Sequence, residues 1–429
     1  MTSTAVDRPH LPGAQHDLSS REFWAKPYAE REQTFRKLRE ECPISWHRPY
    51  ESTLQPPEED TPGFWSVSRW ADCREVSRDV KRFVSGEGII MEDFPEVLRV
   101  ATNSFLAMDG AEHRQLRGIV GNAFTPRNVK QIEGWIHDHA REIVDEILER
   151  GEGDLCAMFT KELPGRIFAH FFGVPQGSEE QQTLMDAAER MLAWDDPECA
   201  MGRSALETFA EEAEKIQDIA LAVAEERRDA PGDDMVSWVL AAEFEGRKLD
   251  DWEIAAFFSL LGSAANDTTR HSIAHAVRLL SEHPDQRELL LADLHGPTVD
   301  RCVEEVLRHA TPVMHFRRTA IVDTELAGVP IATGDKLVMW YCSGNRDASV
   351  FEDPARFDIS RDPNHHLGFG AGGPHYCIGA ALGRQMIKSS LQEIYTRMPD
   401  IDLAGDPEFQ VGNFLHGVHR LPVRWTPSA

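Results

Sequence analysis

The chain has 429 residues, a formal net charge of −27 and 41% hydrophobic residues. That hydrophobic fraction suffices for a large core, and the acidic balance argues against a general nucleic-acid surface and against docking on anionic lipid. Seven cysteines are scattered, an odd number with no Cys-x-x-Cys, which argues against a disulfide framework or zinc site and for a reducing compartment.

Residues 1–20 are polar, carry Pro9, Pro12 and Gly13, and lack any apolar run suited to a signal or membrane anchor. They are expected to form a loose tail. The polar stretch 55–63 is expected as a loop between a helix and a short strand pair. Residues 86–110 are irregular yet apolar, with Ile89, Ile90, Met91, Phe94, Leu98, Phe105 and Leu106. Such a segment is either a loop packed on the core or a lid over a hydrophobic ligand.

His113 and Arg117, four apart, share one face of a predicted helix and are either surface residues or a carboxylate-binding pair. Ile132, Trp135, Ile136, Ile143, Ile147 and Leu148 follow with amphipathic helical spacing. Residues 206–228 predict a long, charged, solvent-facing helix. Residues 250–283 predict one very long helix: Asp250 and Glu253 cap it, its middle is apolar on nearly all sides, and Pro284 ends it. In that middle stand Asp267, Thr268 and Thr269. They are either a local polar patch facing solvent or groups with partners and a task. A Thr there can bond back to the carbonyl four residues earlier.

Glu305 and Arg308, three apart, fit an ion pair on one helix face, a common and usually solvated arrangement. Arg317 and Arg318 are adjacent on a predicted strand, so they point to opposite faces. Residues 319–342 alternate and turn at Gly328 and Gly334-Asp335, which predicts short strands. Last comes the run Phe369-Gly370-Ala371-Gly372-Gly373-Pro374-His375-Tyr376-Cys377-Ile378-Gly379, opening an apolar helix over 378–387. Glycines let the backbone pass close to a flat ligand, and free N–H groups at a helix start stabilise a thiolate. Alone, Cys377 reads as a small buried hydrophobe. The whole run fits a metal-bound thiolate.

This run resembles the haem-binding loop of the cytochromes P450, through Phe369, His375, Cys377 and Gly379. The loop is one residue longer than usual, with Gly370 where the family's aromatic stands. The resemblance extends from roughly Phe23 to Trp425 and implies one mainly helical domain over 21–429 with small β-sheets, the cytochrome P450 fold. It implies haem b (heme b, iron protoporphyrin IX) as cofactor. Cys377 is then the iron ligand, Phe369 shields it, His375 meets a haem propionate, and Gly370 and Gly379 belong to the cofactor loop.

The stretch 264–269 resembles the family's oxygen-activation motif, with Ala265 where a Gly is usual. The resemblance sets Ala264 beside the cofactor, Thr268 in oxygen activation and Asp267 in gating protons. The run Met108–Arg117 resembles the family's C helix, which implies His113 and Arg117 at the propionates, joined by Arg318 from its strand register. Glu305 and Arg308 become a buried structural pair. The lid reading of 86–110 gives a substrate pocket of Ile89, Ile90, Met91 and Phe94, with Leu261, Val313, Met314 and Leu415.

The implied activity is haem-thiolate monooxygenation of an apolar small molecule (a terpenoid, steroid or lipid) with O2. Electrons are expected from a ferredoxin and ferredoxin reductase, because the chain carries no flavin or iron–sulfur segment. Arg114, Arg117, Arg127, Lys130, Arg384 and Lys388 suggest a basic docking face near Cys377; the alternative is charge scatter. A cytoplasmic protein is expected, with no membrane anchor and no nucleic-acid partner. The long Cys loop and residues 414–418 resemble actinobacterial lipid and sterol side-chain hydroxylases. Two alternatives remain open. A peroxide-using peroxygenase usually lacks the acid–Thr pair, and a non-catalytic haem-binding sensor needs neither an apolar lid nor a proton relay.

Overall fold

The computed structural model describes residues 15–101, 104–123, 125–194 and 196–427. The architecture is mainly helical, with a five-stranded sheet and three smaller ones among the described residues. Its axis is the helix Asp251–Glu282, which starts and stops for local reasons. Asp250 accepts from the Glu253 amide, Glu253 reaches back to the Asp250 amide, and Pro284 opens the next helix. The first half of this central helix buries Ile254, Ala255, Ala256, Phe257 and Phe258, so it runs through the core rather than along its surface. Gly262 allows a close crossing: a Cβ there would lie 2.5 Å from the Phe168 ring.

Around the axis pack the helices Glu179–Leu192, Ala205–Asp229 and Ala380–Arg397. The helix Ala205–Asp229 corrects the expectation of a solvent-facing element. It buries Phe209, Ala213, Ile216, Ala220 and Ala224 along one stripe, and only its other face is charged and exposed.

The five-stranded sheet runs Ile44–His47, Phe64–Val67, Lys336–Trp340, His315–Ala320, Phe83–Val84. Trp46 sits opposite Trp65 in the first antiparallel pair, and Phe64–Val67 lies parallel to Lys336–Trp340. The polar loop 55–63 therefore joins two paired strands instead of preceding them. The expected late strands form, with a small hairpin at Thr324–Leu326 and Val329–Ile331 turning through Ala327 and Gly328 at positive φ. The apolar stretch 86–110 contains a short helix, Glu96–Ala101, and a 3-10 turn, Phe105–Ala107.

Residues 1–14 of the expected tail lie outside the described residues. Its remainder is packed. Leu18, Ser19 and Ser20 are buried, the Trp24 indole donates to the Leu18 carbonyl at 2.9 Å, and Ser20 caps the helix Arg21–Trp24.

Candidate functional site

The Cys loop is held open by its glycines. Gly370, Gly372 and Gly373 adopt φ of +99°, +92° and +82°, a region that side chains disfavour. At Gly373 a Cβ would meet the Ser77 carbonyl at 2.5 Å, and the Ser77 hydroxyl donates to the Gly372 carbonyl at 2.7 Å. The loop is thus seated on the helix Trp70–Arg78. Its ends close where the Cys377 amide donates to the Phe369 carbonyl at 3.0 Å, extra residue included. Phe369 packs under the Arg384 guanidinium, 4.4 Å from the ring centre.

The helix begins at Ala380 with Gly379 as its cap, two residues later than expected, so Cys377 precedes it rather than opening it. Of the seven cysteines, Cys377 is exposed and the other six are buried. Desolvation around its sulfur raises the thiol pKa, against the lowering expected from a helix start; the Gly379 amide, Arg117 and Arg384 pull the other way.

Beside the loop lies a set of donors without acceptors. The His113 and His375 rings sit 4.3 Å apart, both largely buried. His375 Nε2 meets the Ser85 hydroxyl at 3.1 Å, but His375 Nδ1 and His113 Nε2 are buried with no hydrogen-bond partner. Burial, and then repulsion from His375 and Arg117, pushes His113 down to about 4. Arg117 donates to the Tyr376 carbonyl at 2.6 Å. The strand alternation divides the two arginines. Arg317 pairs with Asp93 at 2.7 Å and binds the Glu87 carbonyl. Arg318 is buried, donates to the Arg317 carbonyl, and has no ion pair among the described residues. Burial lowers its pKa, and Tyr341 and Asp109 only partly offset this.

This constellation fits haem b. Two orphaned imidazole nitrogens and an arginine without an acid suit a ligand that brings its own carboxylates. Among the described residues no group of three His, Cys, Asp or Glu could hold a bare ion. A lone thiol suits a metal already carried in a macrocycle.

The central helix supplies the other wall. It runs unbroken past the polar stretch, and the Thr268 hydroxyl donates to the Ala264 carbonyl at 2.7 Å. Ala264 and Thr268 line an apolar cavity of about 130 Å³. Asp267 does not line it. One residue further round the helix, it is 1% exposed and faces Arg270, whose Nε lies 3.7 Å away, and both its oxygens lack hydrogen bonds. Arg270 instead pairs with Glu189 at 2.8 Å, and Glu189 also takes Lys161 at 2.8 Å. Burial disfavours charge on Glu189, but Arg270 and Lys161 outweigh it and hold the acid at about 2. Burial pushes Asp267 up to about 7, with Arg270 opposing and Glu189 adding to the rise.

Four of the expected pocket residues, Ile89, Ile90, Phe94 and Val313, line the cavity. Met91, Leu261, Met314 and Leu415 do not. Met314 follows Val313 in extended chain and so points to the opposite face, where it packs with Met91 and Trp340 in another core cluster. Leu261 falls on a different face of the central helix from Leu260 and Ala264. Leu415 borders a smaller neighbouring cavity. Met191, Leu192, Trp194, Phe209 and Phe414 also line it and went unrecognised in the sequence as pocket residues, and Phe316 joins them from the apolar segment 312–316. Phe209 was legible as an apolar position of its helix; Trp194, in a turn, belongs to no periodic pattern.

Glu305 and Arg308 are fully buried and doubly bonded at 2.7 and 2.8 Å. Their helix, Pro297–Ala310, grips the Cys region through Glu304, which binds His366 at 2.7 Å and Arg384 at 2.5 Å. Arg384 is thus paired, as is Lys388 with Asp300 at 2.7 Å, so neither is a free charge of the expected basic face. Arg114, Arg127 and Lys130 are exposed. No helix among the described residues is long and apolar enough to cross a membrane.

Comparison with known proteins agrees with this geometry. The cytochrome P450 family model matches residues 91–397. The chain is 37% identical to a methyl-branched lipid omega-hydroxylase of Mycobacterium tuberculosis, over 97% of this chain and 96% of that protein. It is 36% identical to a steroid C26-monooxygenase of Rhodococcus jostii, over 99% and 88% respectively. A solved Mycobacterium marinum cytochrome P450 in complex with pseudoionone superposes with a TM-score of 0.91 at 44% identity, covering 96% of this chain and 98% of the other. A Gly-hinged loop with one accessible thiol, a carboxylate-seeking donor set and an apolar cavity closed by a helix threonine thus come together in one place, and the chain belongs to the cytochromes P450, the haem b monooxygenases that use O2 and redox partners on apolar substrates.

Proposed function

We propose that this enzyme inserts one oxygen atom of O2 into an unactivated C–H bond of a terpenoid, steroid or lipid, with electrons from a ferredoxin and its reductase. One observation carries the substrate class: the cavity that ends at Ala264 and Thr268 is walled by Ile89, Ile90, Phe94, Phe209, Val313 and Phe414, with little polar surface. The printed activities of the relatives, on a methyl-branched lipid and on a steroid, support it.

In this reading Cys377 is the axial thiolate, and His113, His375, Arg117 and Arg318 hold the propionates. Thiolate-ligated haem supplies the oxygen chemistry when bound. The chain's own groups do the rest. Apolar walls orient the substrate and exclude water. Thr268 presents a hydroxyl to the cavity that can leave the Ala264 carbonyl to donate inward. Asp267, pushed up to about 7, is protonated in part of its population near neutral pH and can restock that hydroxyl. Six buried thiols and the −27 charge fit a cytoplasmic protein.

Two experiments test the proposal. Replacing Cys377→Ala should abolish the thiolate-type spectrum of the ferrous carbonyl complex while circular dichroism stays native. Retention of that spectrum with turnover overturns the ligand assignment. A spin-shift screen across terpenoids, steroids and lipids should find binders, and silence from all three classes overturns the substrate reading.

A further inference from the structure

One wall of the apolar cavity is held from behind. Ile89, Ile90 and Phe94 line the cavity, yet residues 85–95 form neither helix nor strand. A segment without its own hydrogen-bond ladder keeps one shape only where other elements fix it. Here the ties run to the strand His315–Ala320. Phe316 of that strand lines the cavity, and His315 and Arg317 take the alternate positions, on the opposite face.

Arg317 gathers the segment at three points. Its amide donates to the Ile89 carbonyl at 2.7 Å, and its guanidinium donates to the Glu87 carbonyl and to Asp93, each also at 2.7 Å. His315 adds a fourth tie: its Nε2 accepts from the Met91 amide at 3.0 Å while its Nδ1 donates to the Asn413 carbonyl at 3.1 Å. Gly88 permits the close approach. Its φ is +132°, and a Cβ there would lie 2.8 Å from the guanidinium carbon of Arg317. Lys336, on the adjoining strand, pairs with Asp93 as well. Burial disfavours charge on Asp93, but Arg317 and Lys336 outweigh it and hold its pKa below the ordinary value. The Arg317 side chain is 3% exposed and that of Asp93 37%, so the carboxylate is the outer end of the fastening.

We propose that Arg317 and Asp93 are positioning residues for the substrate: their ion pair ties residue 93 to the guanidinium that already holds Glu87 and Ile89, and so presets the wall of Ile89, Ile90 and Phe94 before a ligand arrives. Neither residue lines the cavity, so both act through that wall. A wall set in advance spares the ligand the cost of ordering it. The inference rests on the reading of this cavity as the substrate site. The competing role is structural alone, with Asp93 doing no more than neutralising a buried arginine.

The test uses the holoenzyme and two probes that bind ferric haem through an imidazole nitrogen. Imidazole itself reports on the haem, and N-dodecylimidazole carries a chain that must lie against the apolar wall. Optical titration gives both affinities. Asp93→Asn should weaken N-dodecylimidazole about fivefold, the modest worth of a partly exposed ion pair, and leave imidazole unchanged. Asp93→Glu restores the charge and should recover part of the loss. Equal weakening of both probes would place the effect at the haem through neighbouring Arg318. Unchanged affinities with a lowered melting temperature would make the pair structural alone. A loss that Asp93→Glu does not reduce would show that the charge is not what holds the wall. Each of these three results overturns the positioning role while the apolar-cavity reading stands. If the wild type binds N-dodecylimidazole no better than imidazole, the apolar-cavity reading falls, and this inference with it.

Discussion

Arg270 lies within reach of two carboxylates and bonds only one. Glu189 holds it at 2.8 Å, while Asp267 waits at 3.7 Å from its Nε. The two acids diverge accordingly, Glu189 to about 2 and Asp267 to about 7. Acids driven apart by their surroundings take different roles. Asp267 carries a proton below about pH 7 and loses it as pH rises, so product formation should decline on the alkaline side. Glu189→Gln removes the competitor, turns Arg270 toward Asp267 and lowers the pKa of Asp267. The decline should then begin about one unit or more lower in pH. A pH profile of product formation decides it, and an unmoved limb would exclude Asp267 as the titrating group. Thr268→Ala tests the neighbouring hydroxyl. It should bind substrate with a normal spin shift and consume NAD(P)H, yet release mostly hydrogen peroxide. The ratio of product to NAD(P)H oxidised measures this; full coupling would remove Thr268 from oxygen activation.

Among the elements, the helix Pro297–Ala310 depends on a pair that cannot be halved. Arg308 binds Glu305 twice and also satisfies the carbonyls of Asn345, Pro354 and Arg356. Glu305→Ala leaves a buried guanidinium without its anion, which costs about 3–5 kcal/mol. Urea denaturation should register that loss; a shift below about 1 kcal/mol would mark the pair as solvated. Elements like the central helix were legible because their signals are local: a capping pair at Asp250 and Glu253, a proline at 284. The Cys loop was legible for the same reason, as spacing within one short run. Parity was not. Val313 and Met314 are both apolar, so nothing in their pattern says which one faces the cavity. Glu189 and Trp194 were not legible either. They reach the site only through packing of the helix Glu179–Leu192 against the central helix, a contact no local pattern encodes. The pairing of Arg384 and Lys388 was not legible either, because Glu304 and Asp300 arrive from another helix.

Across the whole molecule, a charge of −27 repels an acidic electron donor at long range. Docking must therefore rely on local basic residues within about a Debye length, roughly 8–10 Å at ordinary ionic strength. Arg114, Arg127 and Lys130 are exposed and could meet such a donor. If an acidic ferredoxin docks there, Arg127→Glu and added salt should each slow electron transfer, as stopped-flow reduction of the haem would reveal. A rate indifferent to both would move the docking face elsewhere.

The distribution of sulfur has a practical corollary. Cys42, Cys73, Cys156, Cys199, Cys302 and Cys342 are sealed in the core, and burial raises the pKa of each. If Cys377 is the axial ligand as proposed, an alkylating reagent that needs an accessible thiolate meets one target in the cofactor-free chain and none once that sulfur is bound to iron. On that assignment the polypeptide carries its own single-site gauge of cofactor loading: counting labelled thiols by mass would count the molecules still waiting for haem.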